Sequence, residues 1–179
     1  TQCGSKELPE NEYLGKIPSI TAEYLSEIEK LELKAEESSD LKKAFEFASK
    51  AKQLSKEADE AIEQAFEKLD QPVIVPFRPE STENGFQIEL IEINRASANS
   101  ISLSARAKIL KPASTRHTAY ICGINSEGND IRPFAVLMSS RNTEAGKQDI
   151  FTGIMKHPEN LAGLAQFKLV SKDYYNQNK

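Results

Sequence analysis

Tryptophan is absent from the 179 residues, and histidine, cysteine and methionine occur only twice each. Two cysteines cannot build a disulfide scaffold. The two histidines, His117 and His157, form no HxxxH pair, and neither has a cysteine or carboxylate at metal-ligand spacing. No GxSxG elbow, glycine-rich phosphate loop or CxxC pair occurs, so none of the chemistries that local motifs announce is indicated. No catalytic residue, metal ligand or cofactor is therefore assigned. No run of about 18 apolar residues exists, which excludes a transmembrane helix within the sequence. A strong positive charge is also missing. The net charge is −4, divided into −7 over residues 1–70 and +3 over residues 71–179, and a nucleic-acid binder would need a basic stripe. Arg95, Arg106, Lys108, Lys111 and Arg116 mostly alternate with apolar residues and read as a solvated strand face.

What is present is a helical period. Between Leu41 and Leu69, the residues Ala44, Phe47, Ala51, Leu54, Ala58, Ala61 and Ala65 recur at alternating spacings of three and four, which places them along one side of an α-helix. Ala51, Leu54, Ala58, Ala61 and Ala65 are the expected helix-packing positions, because alanine lets a neighbouring backbone approach closely. Ile20, Tyr24, Ile28, Leu31 and Ala35 predict a second amphipathic helix over 21–37. Ser38-Ser39-Asp40 joins the two, so residues 20–70 read as an antiparallel helical hairpin. Its second arm spans about 43 Å against about 26 Å for the first. The excess length must pack on the rest of the chain or on a second copy, giving a homo-oligomer through the long helix.

After Pro72 the period changes to two. Pro72, Pro76 and Pro79 make Val73 to Phe77 a linker or edge strand. Phe86 to Ile93 and Ile101 to Ile109 alternate apolar with polar and form a hairpin, while Thr118 to Ile124 is apolar on both faces and reads as central. Ile131 to Met138 contains Pro133 and reads as a strand nearer an edge. Ile150 to Met155 and Ala165 to Val170 complete six or seven strands. The expected fold is thus α+β: a tether over residues 1–19, the helical hairpin over 20–70, and an antiparallel β-domain over 71–179. That domain is predicted as sandwich-like, with a small barrel as the other arrangement short strands allow.

The N-terminal Cys3-Gly4-Ser5-Lys6, followed by a polar stretch, resembles the start of a mature bacterial lipoprotein, although Gln2 stands where that family usually has a small residue. The resemblance implies acylation of Cys3, anchoring to a membrane through lipid, and a cell-envelope location. With Gly4 after the cysteine, enterobacterial-type sorting would imply the outer membrane. Cys122, between Ile121 and Gly123 in a strand, reads as a small buried hydrophobe. Tyr174 and Tyr175 read as one ring capping the β-domain beside another half-exposed. The functional expectation is a non-enzymatic lipoprotein that binds or scaffolds a protein partner of unknown identity, with no nucleic acid involved. The alternative is an envelope hydrolase, whose site would be assembled from scattered residues such as His117, Asp130 and Ser139.

Overall fold

The computed structural model describes residues 12–68, 73–78, 85–97, 100–156 and 163–179, with side chains from Ser19 onward and apart from that of Pro133. Two helices, α1 (Glu12–Glu37) and α2 (Leu41–Glu67), form an antiparallel hairpin. Asp40 caps α2, its carboxylate accepting the Lys42 N–H at 3.0 Å, which satisfies one of the donors a helix start leaves unpaired. Helix α1 begins earlier than expected. Residues 12–19, assigned above to the tether, are helical. The expected boundary followed Pro18, whose missing N–H costs a helix one bond yet does not end this one.

Seven strands follow: β1 (Val73–Pro76), β2 (Phe86–Ala96), β3 (Ser100–Ile109), β4 (Thr118–Ile124), β5 (Asp130–Met138), β6 (Gln148–Lys156) and β7 (Gln166–Val170). A short helix, α3 (Lys172–Asn178), comes last. The strands form one sheet, in the order β1-β2-β3-β6-β5-β4-β7, with every ladder antiparallel. The expected sandwich is therefore corrected. The sheet curls until its edges approach, where Phe77 bridges Phe167 and the Arg78 N–H donates to the Phe167 carbonyl at 2.8 Å, so the fold is α+β with a nearly closed barrel. Alternating strands cannot distinguish these outcomes, because a sheet folded on itself and two facing sheets bury one face in the same way.

Two irregularities shape the sheet. In β2 the register shifts between Ile88 and Leu90, so the run Leu90-Ile91 resets the alternation and keeps Ile88, Ile91 and Ile93 all inside. In β5, Cys122 pairs with Phe134 while the adjacent Gly123 pairs with Ile131. Arg132 and Pro133 are thus looped out of the ladder, which is how a proline is tolerated in a strand lying between β6 and β4 rather than near an edge. Gly153 on β6 gives a third constraint. A Cβ there would meet the Val136 carbonyl and lie 2.8 Å from Leu137 Cδ2, so glycine permits the close crossing of β5 over β6 that turns the sheet.

The interior is apolar, built on Phe86, Phe151, Phe167, Ile91, Ile93, Ile101, Leu103, Ile109, Ile121 and Leu137, each contributing roughly 1.5 to 3 kcal/mol by burial. This sidedness is the reverse of a membrane-spanning barrel, whose apolar band faces outward. Among the described residues no helix is long and apolar enough to cross a membrane. Helix α2 docks on this core through Ile62, which is fully buried, with Phe66 and Ile20 packed beside it. Arg95 of β2 clamps the junction, its Nε donating to Glu63 Oε1 at 3.0 Å.

Candidate functional site

Among the described residues, the outer face of β6 holds the most apolar uncovered surface of the barrel. Phe151 and Met155 point inward and are buried, so Ile150, Thr152 and Ile154 point outward. Ile150 is 60% and Ile154 67% exposed. Met138 of β5, 45% exposed, is the cross-strand partner of Thr152. It thus lies diagonally between the two isoleucines, at the roughly 7 to 8 Å spacing of such neighbours. Together they make an apolar surface on the order of a few hundred Å², the size at which patches on monomers tend to be interaction sites. On the β3 side the partners are Ser102, Ser104 and Arg106, and Lys108 follows opposite Gln148. The flank is therefore hydroxyl-bearing and cationic.

The neighbouring part of the same outer face is covered by the chain itself. Ser171 caps α3, its Oγ accepting the Tyr174 N–H at 3.1 Å. Tyr175 packs on Tyr120 with ring centroids 5.3 Å apart, and both Tyr174 and Tyr175 lie about the Phe134 ring, at 6.2 and 6.1 Å. Cys122, on β4, is fully buried. The helix is held by Asp130, which accepts the Tyr174 hydroxyl at 2.6 Å and pairs with Lys168 at 2.7 Å. Burial opposes the Asp130 charge, but the hydrogen bonds from Lys168 and Tyr174 outweigh it and hold the carboxyl below its ordinary range. The same bond to Asp130 pushes Tyr174 up to about 12.

The residues suggested for a hydrolase do not converge. His117 and Ser139 are adjacent, but through backbone: the His117 N–H donates to Ser139 Oγ at 2.8 Å, and that hydroxyl donates to the Ser140 carbonyl at 2.8 Å. The imidazole Nε2 faces the Lys111 carbonyl at 2.7 Å, so it is the protonated ring nitrogen. The ring packs against Phe86 and Phe151 and closes one end of the core. Asp130 pairs with Ile124 at the far end of β4, about 20 Å from His117 along the strand. Asp149 is likewise structural. It accepts from the Ser140 N–H and hydroxyl, Thr143 and the Ile150 N–H, and so fixes the loop between β5 and β6. Burial raises its carboxyl, and these hydrogen bonds more than reverse that. Among the described residues no cluster of three or more His, Cys, Asp or Glu could hold a metal ion.

Of the expected helix-packing residues, Ala51 and Ala58 are buried, while Leu54, Ala61 and Ala65 are half-buried. Cys3 and His157 lie outside the described residues. Ile150, Ile154 and Met138 were not identified from sequence as a surface. Ile150 to Met155 reads only as a strand, apolar at 150, 151, 154 and 155, and the sequence alone does not say which parity faces the core. No family model, curated protein or solved structure matches the chain.

Proposed function

We infer that the protein is a non-enzymatic, lipid-tethered module of a bacterial cell envelope that presents its β-domain to a protein partner. The observation that carries the binding role is the exposed Met138–Ile150–Ile154 surface, flanked by Arg106 and Lys108. A partner segment offering an apolar anchor with nearby carboxylates fits that surface by area and charge. The tether rests on Cys3-Gly4-Ser5-Lys6. Two or more acyl chains on Cys3 would hold the domain stably where one would not, and Gly4 favours the outer membrane under enterobacterial-type sorting.

Site-specific photocrosslinking in the native cell tests the binding role. A crosslinker at Ile150 or Ile154 should yield a discrete protein adduct, and one at Gln87, outward on β2, should not. Equal labelling at all three positions would refute it. Mass spectrometry of the native protein tests the anchor, and an unmodified Cys3 thiol in protein recovered from the cytosol would overturn the localisation.

A further inference from the structure

Two helices alone cannot cover each other, and among the described residues nothing closes one broad face of the hairpin beyond its contact with the barrel. A groove of about 610 Å³ runs between Ile28, Glu32, Ala35 and Glu36 of α1 and Ala48, Ala51, Lys52 and Ser55 of α2. Leu41 and Phe45 lie seven residues before Ala48 and Lys52 and so share their side of α2. They are 87% and 74% exposed. Across the hairpin Leu33, 55% exposed, lies three residues before Glu36 and four after Glu29. Among the described residues, the large exposed apolar side chains of the hairpin thus border one face. Phe45 is 17 residues from the docked Ile62, which puts this apolar end about 26 Å from the barrel contact.

Charge identifies the occupant. Residues 19–37 carry a net −4 and residues 41–56 a net +4, so the groove has an acidic wall, with Glu32 and Glu36, and a basic wall, with Lys52. A partner that matches it must be apolar in the middle and carry the two signs in exchanged order. A copy of the same face, turned by a two-fold axis running along the helices, meets that requirement by setting α1 of each chain against α2 of the other. We propose that the open hairpin face is a self-association surface, on which a second copy of this chain docks to form a four-helix bundle. The contact is separate from the β6 surface, so it joins two copies of the binding module without using the partner site.

Sedimentation velocity over a concentration series, at low and high salt, tests this. The expected species has twice the 19.9 kDa chain mass and dissociates more readily in high salt. Phe45→Glu and Leu41→Ser, at solvent-exposed positions, should each abolish the dimer while circular dichroism stays that of the wild type. Lys52→Glu should weaken it at least several-fold, and adding Glu32→Lys should restore it. A chain that remains monomeric at millimolar concentration would overturn the proposal. So would a dimer that survives Phe45→Glu but is lost in Ile150→Asp, because the contact would then be on the barrel. A monomer whose Phe45 inserts into anionic phospholipid vesicles would assign the face to a membrane instead.

Discussion

Replacing Ile62 with alanine tests whether the hairpin and barrel are one cooperative unit. The side chain is fully buried in the core while its backbone belongs to α2, and the substitution removes three carbons. At about 0.8 kcal/mol per buried methylene, the transfer loss is roughly 2.4 kcal/mol. A residual cavity brings isoleucine-to-alanine changes into the range of about 2 to 5 kcal/mol. The better helix propensity of alanine returns a few tenths, leaving an expected loss of about 2 to 4 kcal/mol. Urea unfolding followed both by far-ultraviolet circular dichroism and by tyrosine fluorescence measures it. The helices dominate the first signal, and with Tyr13 and Tyr24 of α1 replaced by phenylalanine the remaining tyrosines, on β4 and α3, report on the barrel in the second. Both transitions should move together, and the control Ile154→Ala, on the outer face, should change stability by no more than about 0.5 kcal/mol. A loss below about 1 kcal/mol, or a shift in only one signal, would refute the docked arrangement.

Other perturbations probe other contacts. Ala58→Leu, at a position 1% exposed between the helices, should overpack the hairpin and cost about 1 to 3 kcal/mol; an unchanged melting temperature would show that the helices do not touch there. Gly153→Ala should destabilise more than Gly128→Ala, because the new Cβ of the first meets the Val136 carbonyl, whereas nothing lies within 4 Å of the second; a larger loss at Gly128 would mean that its positive φ of 87°, and not crowding at the β5–β6 crossing, governs the sheet. The Asp130 carboxyl is held below its ordinary range, so its contribution is present above about pH 4 and is lost as pH falls through the lowered value. Tyr174 is raised to about 12, so its contribution is present below about pH 10 and is lost as pH climbs toward 12. Asp130→Asn should flatten the acid limb of the wild-type stability profile, as read by urea unfolding at each pH; an identical acid limb in the variant would remove Asp130 from that role.

The helices and strands were largely legible because each rests on a local period. Where the reading failed, long-range packing decided the outcome. The seam was followed through Ala58 and Ala61, whereas the structure buries Ala58 and Ile62. The buried stripe takes a spacing of four, from Ala58 to Ile62, where the expected alternation took three, to Ala61, and Ile62 is the residue that joins the barrel core. Pro133 suggested an edge because a ladder needs its N–H, and the two-residue loop with Arg132 removes that need. Helix α3 is only seven residues long, too short for periodicity to reveal it. It is fixed by Asp130, 44 positions earlier in the chain.

The two open surfaces are exposed for different physical reasons, and this makes them separable by experiment. The β6 patch lies beside the part of the outer face that α3 covers through Tyr174 and Tyr175 on Phe134, whereas the hairpin face is open because, among the described residues, the two-helix layer has no third element against it. Ile154 reaches the boundary between them, lining a groove with Asp59 and Glu63 of α2 and Ser97, Ser100 and Ser102 of the β2–β3 hairpin. A substitution there could disturb both contacts, but Ile150 on β6 and Phe45 at the far end of the hairpin each belong to one alone. Effects of sites this far apart with no shared partners should add. Ile150→Ser should therefore remove partner crosslinking and leave sedimentation unchanged, Phe45→Glu should do the reverse, and the double variant should show both losses at their single-variant size. Loss of both properties from either single change would mean that partner binding and self-association use one surface.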